Sequence, residues 1–322
     1  MKNKILKKII ITGGLGHIGS YLCERFLKTQ KNLHLVIIDS LHSKRYTSLF
    51  NLNKKKNNRL SFYDLDVKKL DDNDKIFFNA KIIIHMAAMA EAENSIKFQS
   101  EYRKNNLDST KKIIGLAKKN NSLLIFPSST SVYGTSINND IIYESDQKKI
   151  LPQSPYAKIK LSEENLIKKR LKNNKFVILR LGTIIGVSKG MRFGTAVNKF
   201  CYQASLNKEI TVWKNAYLQI RPYATLEDVF KSIYIFVKYP KQNINTVYNI
   251  VTKNLSVKNI IDFIKERKKI KVRYVTSKIM NNMSYMISNN KVMNIGFLPQ
   301  KNLKNLIFKT LDLFNIDNER IR

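Results

Sequence analysis

Residues 8–39 read KIIITGGLGHIGSYLCERFLKTQKNLHLVIID, and the punctuation of that stretch decides the fold. Ile9, Ile10 and Ile11 form a short apolar run closed at once by glycines, the pattern of a fully buried parallel strand. Gly13, Gly16 and Gly19 follow at G-x-x-G-x-x-G spacing. The first glycine allows a tight turn out of the strand. The second lets backbone approach a pyrophosphate, and the third lets a new helix pack on the sheet. A helix starting near Leu15–Ile18, with Ile18, Leu22, Phe26 and Leu27 at helical spacing, points its first N–H groups and the positive end of its dipole at that anion. Leu33–Ile38 is a second strand, ended by Asp39. A carboxylate twenty residues after Gly19 can accept from both hydroxyls of an adenosine ribose. That selects NAD over NADP, whose 2′-phosphate it would repel.

The bulk properties narrow the class. At 322 residues the chain can bury a large core in one or two domains. Its 2 cysteines, Cys23 and Cys201, are far apart and in no metal or redox spacing, which fits a reducing, cytoplasmic setting and excludes a disulfide scaffold. The start, MKNKILKKII, is basic, but its apolar run is too short for a signal peptide. No run approaches the ~20 apolar residues that span a bilayer. The net charge of +34 would by itself suggest nucleic acid or an anionic membrane surface. The lysines are scattered through an Asn- and Ile-rich chain, however, so the charge reads as a bias of the whole sequence. Neither nucleic acid nor membrane is an expected partner, although the field would help recruit a phosphorylated substrate.

Outward from the opening stretch, strands are predicted at Arg59–Tyr63, Lys81–Met86 and Leu123–Pro127, with a long helix over Ser95–Asn120. Strands alternating with helices argue for an α/β fold with a doubly wound parallel sheet, in which ligands lie at the carboxyl ends of the strands. The glycine turn, Asp39, Asp64, His85 and Ser128–Ser129 all fall at such ends.

The chemistry is carried by two further stretches. Residues 123–134, LLIFPSSTSVYG, deliver adjacent serines to a strand end. Residues 154–161, SPYAKIKL, open a helix on which Tyr156 and Lys160, four apart, share a face. A phenol ordinarily ionises near pH ~10, and a neighbouring ammonium favours the phenolate. Such a tyrosine can exchange a proton with an alcohol near neutral pH.

With TGGLGHIG, the terminal Asp39, HMAA at 85–88, SSTSVYG at 128–134, YAKIK at 156–160 and LRLGTIIG at 179–186, the chain resembles the extended short-chain dehydrogenase/reductase family, in its NAD-dependent epimerase/dehydratase branch. The resemblance implies a Rossmann domain over residues 1–175 and a smaller C-terminal substrate-binding lobe over 176–322, with some segments returning to the sheet. It implies that Gly13, Gly16, His17, Ile18 and Gly19 serve the pyrophosphate turn and that Asp39 holds the ribose. Asp64 and Leu65 would border the adenine, Ala87 and Ala88 would line the cofactor, and Asn106 matches the family's helix asparagine. Ser129 would bond the reacting hydroxyl. Tyr156 would be the acid/base, with Lys160 assisting it and holding the nicotinamide ribose. A homodimer through the helices that begin near Ser95 and Tyr156 is also implied.

On the substrate side, the resemblance places Thr183 where many epimerases have an asparagine. It assigns residues 191–203 (MRFGTAVNKFCYQ), including Lys199, and 210–213 (ITVW) to the nucleotide, and matches Arg221 to a phosphate-binding arginine. Trp213, the single tryptophan, either stacks on a base or packs the lobe, and Arg221 has a surface ion pair as its other reading. Val247–Ile250, a helix capped by Ser256 and an amphipathic helix from Asn302 (NLKNLIFKTLDLF) would build the lobe.

The family's dehydratases carry an Asp-Glu pair just after the active-site Thr, and its decarboxylases usually keep the glutamate. This chain has Thr130 and Ser131 there. The resemblance therefore implies an epimerase of a nucleotide-activated sugar, at C4 of a UDP-hexose, acting through a transient keto sugar with NAD retained. The alternatives are a keto-sugar-nucleotide reductase, an epimerase at another carbon, and a non-catalytic dinucleotide- and anion-binding protein. The intact Ser129, Tyr156 and Lys160 argue against the last.

Overall fold

The computed structural model describes residues 7–134, 140–276 and 284–313. The basic start (residues 1–6) and Phe314, the last residue of the predicted tail helix, lie outside them. In chain order the strands used below are β1 (Lys7–Thr12), β2 (Leu33–Asp39), β3 (Arg59–Asp64), β4 (Ala80–His85), β5 (Leu123–Ser129), β6 (Phe176–Leu181), β7 (Thr183–Ile185), β8 (Ile210–Trp213), β9 (Ile220–Thr225), β10 (Thr246–Ile250), β11 (Lys253–Ser256) and β12 (Val272–Val275). The longer helices are α1 (His17–Thr29), α2 (Gln99–Lys119), α3 (Pro155–Arg170), α4 (Ala196–Ser205), α5 (Leu226–Lys238), α6 (Val257–Lys265) and α7 (Leu303–Asp312).

Seven strands pair in parallel in the order β10-β6-β5-β4-β1-β2-β3. From β1 the chain winds outward through β2 and β3, then crosses back to β4 and winds the other way. The switch point lies between β1 and β4, where a crevice opens beyond the strand ends. Both faces of the sheet are covered, so the inner strands β1, β2 and β4 carry near-continuous apolar runs rather than alternating, while the edge strand β3 (RLSFYD) is half-buried to exposed. Ile9 and Ile11 pack with Leu22 and Phe26 of α1 and Ile233 and Phe236 of α5. Ile10 points the other way, into a cluster with Ile113 and Ile114 of α2 and Ile167 of α3. All of these are fully buried or nearly so, and each contributes about 1.5–3 kcal/mol through burial.

β6 and β10, both from the second half of the chain, belong to this sheet. α5, also from that half, packs on the same sheet, and a smaller unit is built around a three-stranded sheet in the order β11-β9-β7 and the β12–β8 pair. Phe200, Cys201, Ile210, Ile260, Ile261 and Ile307 pack at its core.

Local chemistry starts the helices where they start. Ser154 Oγ accepts from the Ala157 N–H at 3.1 Å, with Pro155 next in line, so α3 begins just before Tyr156. Ser256 and Asn259 form a capping box on α6. The single helix expected over Ser95–Asn120 is broken at Phe98, whose φ of −119° and ψ of 42° lie outside the helical region. A short helix, Ala92–Lys97, precedes the break. The break leaves Phe98 exposed at the wall of the cavity described below.

Candidate active site

A cavity of about 700 Å³ opens at the switch point. Gly13, Gly16, Asp39, Leu65, Ala87 and Ala88 are among the residues that line it. Gly13 has φ +66°, and a Cβ there would stand 2.6 Å from the Ala87 nitrogen, so only glycine permits this turn. Gly16 is the N-cap of α1 and brings no side-chain cap, so the free N–H groups of the first turn face the turn itself. Asp39 lines the cavity beside that turn. Its Oδ2 accepts from the Leu15 N–H and its Oδ1 from the Leu41 N–H, each at 3.0 Å. A small-walled crevice with free helix N–H groups and a fixed carboxylate beside the same turn suits a dinucleotide that lacks a 2′-phosphate.

Four assignments are adjusted by the geometry, those of His17, Ile18, Asp64 and Asn106. The His17 side chain turns away from the cavity: it is buried, and its Nε2 lies 2.8 Å from the Gly186 carbonyl, to which it donates. Burial, reinforced by the Arg192 and Arg45 cations, brings its pKa down to about 4 against the opposing Gly186 bond. Only its backbone can serve an anion. Gly19 and Ile18 are packing positions, Gly19 closing against Gly13 and Gly14 and Ile18 against the apolar core. Asp64 is exposed beside Asp39, and the wall runs instead through Leu65 and Asp66. Asn106 is fully buried and grips the loop after β4, its Oδ1 accepting from Met89 N–H (2.9 Å) and its Nδ2 donating to Met89 O (3.0 Å). It therefore shapes the cavity wall from behind.

Two cations join the cavity wall, one from a stretch in which the sequence offered no candidate and one from the stretch 191–203 that the resemblance gives to the nucleotide. Arg45 and Arg192 both line the cavity, from the polar segment after β2 and the loop after β7. Burial, with Arg192 adding repulsion against the help of Glu91 and Asp39, lowers the Arg45 pKa. Two guanidiniums near one anion-ready turn are a signal that only the fold assembles.

At the end of β5 the two serines part ways. Ser128 is buried and donates to Glu164 Oε1 at 2.6 Å. Ser129 is half-exposed, and its Oγ accepts both the Ser131 Oγ–H (2.9 Å) and the Ser131 N–H (3.2 Å). With both lone pairs engaged, the Ser129 hydroxyl proton is left to donate outward. Thr130 is buried, and its hydroxyl bonds that of Tyr285, a buried tyrosine that also meets Arg221.

Tyr156 is half-buried at the start of α3, and Lys160 is buried one turn on. The Lys160 ammonium lies over the Phe126 ring, 4.6 Å from its centroid, and 3.0 Å from Glu163 Oε2. Burial acts to lower the lysine pKa, but Glu163, Tyr156 and Glu164 outweigh it and the net shift is upward. Glu163, three residues after Lys160, could have been noticed from spacing alone. Glu164, one residue further, is committed elsewhere. Arg180 of β6 donates to it twice, at 2.9 and 2.7 Å, and then to the Tyr133 hydroxyl at 2.7 Å.

Among the substrate-side candidates, Thr183 pairs with Tyr223 across β7 and β9, two residues from Arg221 on β9. Trp213 and Arg221 are half-buried at the ends of their strands, and Arg221 donates to Gln219 Oε1 at 3.1 Å. Lys199 is exposed on α4. Its buried neighbour Asn198 holds the Arg192 carbonyl at 2.9 Å, so the structural work at that point belongs to Asn198. Among the described residues, no group of three or more His, Cys, Asp or Glu could hold a metal, and no helix is long and apolar enough to cross a membrane.

The signature of the NAD dependent epimerase/dehydratase family matches residues 9–251, and the chain belongs to that family. It is an NAD-dependent enzyme class built on the Rossmann sheet described above. The chain is 25% identical to the solved UDP-N-acetylglucosamine 4-epimerase of Methanobrevibacter ruminantium M1, in complex with UDP-N-acetylmuramic acid. That superposition has a TM-score of 0.83 and covers 97% of this chain and 99% of that one. It is also 29% identical over 269 residues to a dTDP-D-glucose 4,6-dehydratase of Dictyostelium discoideum, a match covering 78% of this chain and 60% of the relative. It is 34% identical over 173 residues to a UDP-glucose 4-epimerase of Schizosaccharomyces pombe, covering 52% and 48%. The chain thus spans about half to three fifths of these two curated relatives.

Proposed function

We propose that the protein is an NAD-dependent epimerase of a nucleotide-activated sugar, acting at C4 of a UDP-hexose. The observation that carries this reading is that Ser129 is followed by hydroxyls alone. Eliminating water from a hexose needs a carboxylic acid and a carboxylate beside the reacting carbons. Thr130 faces Tyr285, and Ser131 is turned onto Ser129. The carboxylates of the neighbouring helix, Glu163 and Glu164, are buried and engaged with Lys160, Thr110, Arg180 and Ser128.

Bound NAD would supply the hydride acceptor and donor. The residues of the chain supply the rest. Ser129 donates its free hydroxyl proton to the sugar oxygen, Tyr156 takes up and returns the hydroxyl proton, and the Lys160 charge favours the phenolate that does so. Arg221, beside Tyr285 and near Thr183, would hold a substrate phosphate. Incubating purified protein with UDP-glucose, UDP-galactose and their N-acetyl forms without added cofactor, and following products by NMR, tests the reading. Interconversion supports it, and silence across all four removes the UDP-hexose C4 assignment.

The homodimer is proposed with one qualification from surface chemistry. The outer faces of α2 and α3 expose Arg103, Lys104, Lys118, Lys158 and Lys169, so joining two copies there sets like charges across the seam. Such a dimer strengthens as salt screens them. Sedimentation at low and high ionic strength tests it, and a monomer in both removes the dimer.

A further inference from the structure

A buried hydrogen-bond chain runs from the cavity wall to the catalytic helix. The Ala87 N–H lies 3.4 Å from Thr12 Oγ1, which lies 2.7 Å from His85 Nδ1. His85 Nε2 is 3.3 Å from Thr110 Oγ1, and the Thr110 hydroxyl donates to Glu163 Oε1 at 2.7 Å. Glu163 Oε2 faces the Lys160 ammonium at 3.0 Å, and no other partner is recorded for that oxygen among the described residues. Thr12, His85, Thr110, Lys160 and Glu163 are all buried, and four separate elements contribute them.

The protons along this chain can be assigned. Thr110 has one hydroxyl proton and gives it to the carboxylate, so Thr110 must accept from His85, which therefore carries its proton on Nε2. Nδ1 then accepts from Thr12, whose remaining lone pair meets the Ala87 N–H. Every bond points the same way, toward Glu163. Burial, helped by the Lys160 charge, takes the His85 pKa down to about 3, so the imidazole is neutral in this role. The chain ends on a backbone amide, not at a proton source, so it holds atoms in place and carries no proton to solvent.

We propose that Glu163 is the positioning residue of the catalytic lysine. Its carboxylate, fixed by the Thr110–His85–Thr12 chain, keeps the Lys160 ammonium in place and offsets part of the field that Lys160 exerts on Tyr156. This deepens the reading of Tyr156 and Lys160 as the reacting pair and rests on it. The charged and titratable groups facing Lys160 are Tyr156, Glu163 and Glu164 on α3 and His85 on β4, with the Phe126 ring on β5. Removing one negative charge from that set makes loss of a proton by the tyrosine–lysine pair easier. A structural role alone would not produce that effect.

The test is a UV titration of the holoprotein, reading the phenolate absorbance that disappears in Tyr156→Phe. It needs no substrate, so it stands apart from the assay of the proposed reaction. In Glu163→Gln the Tyr156 phenolate should form at lower pH, by about one unit, the size of effect one nearby charge produces. Glu163→Asp should restore most of the difference. Thr110→Val, which removes only the hydroxyl that fixes the carboxylate, should shift the midpoint the same way by less. It carries the test if Glu163→Gln fails to fold. A midpoint that stays in place or rises in the folded variants overturns the proposal.

Discussion

The Asp39 carboxylate accepts the Leu15 N–H at 3.0 Å, which ties the end of β2 to the glycine turn that follows β1. The residue is therefore at once a wall of the cavity and a brace for its floor. Asp39→Ala should weaken NAD binding about tenfold or more, since a hydrogen bond to a charged group contributes about 1.5–3 kcal/mol. It should also raise the NADP-to-NAD affinity ratio, because the charge that repels a 2′-phosphate is gone. Calorimetric titration with both dinucleotides checks this, and an unchanged ratio contradicts it.

Arg45 and Arg192 line the same cavity, and their like charges repel. Arg192→Ala should raise the NAD dissociation constant by about tenfold, and the loss should shrink as salt is added. Without ligand, the same change should leave thermal stability equal or slightly higher, because it relieves repulsion. A variant that loses stability without ligand while binding NAD normally would show that Arg192 is a structural residue only.

The Arg180–Glu164 pair is a fully buried, two-pronged ion pair that joins β6 to α3. Removing one partner leaves an uncompensated charge, which costs about 3–5 kcal/mol. Arg180→Ala should show that loss in urea denaturation. Arg180→Lys should recover only part of it, because an ammonium cannot make both bonds of the fork. Equal stability of Arg180→Ala and the parent contradicts this account.

Two buried histidines make the fold less stable in acid. His17 and His85 are held neutral, with pKa values brought down to about 4 and about 3 chiefly by burial. Below the ordinary histidine range near ~6.5 the unfolded chain binds protons that the folded chain refuses, so stability falls as pH drops from there toward 4. His17→Gln keeps a donor toward Gly186 and should flatten that fall. Thermal melts across pH 4–7 that run parallel for parent and variant contradict the assignment.

What could be read in the sequence was what depends on near neighbours along the chain. The first strand, the glycine turn, α1 and the Ser256 cap are local, and the apolar runs of β1, β2 and β4 announce a sheet covered on both sides. The direction of a side chain is not local. His17 sits in the glycine motif, yet its ring is claimed by Gly186, 169 residues away. Asn106 was legible as a residue that matters, but its task of gripping Met89 depends on how α2 crosses the loop after β4. Arg45 lies in a stretch without periodicity and Arg192 in one that the resemblance gives to the nucleotide, and only the fold brings the two to one cavity. Glu163 was within reach, three residues from Lys160, but a carboxylate at that spacing is ordinary on an exposed helix. Its meaning comes from burial.

The central claim is the proposed one: the Ser129–Tyr156–Lys160 site, with only the hydroxyls of Thr130 and Ser131 following Ser129, interconverts sugar epimers and does not eliminate water. The most direct measurement is mass spectrometry joined to NMR on nucleotide sugars incubated with the purified holoprotein and with Tyr156→Phe. The account predicts a product of unchanged mass and inverted configuration, lost in the variant by a factor of about a hundred or more. A product one water lighter, bearing a stable keto group, would contradict it.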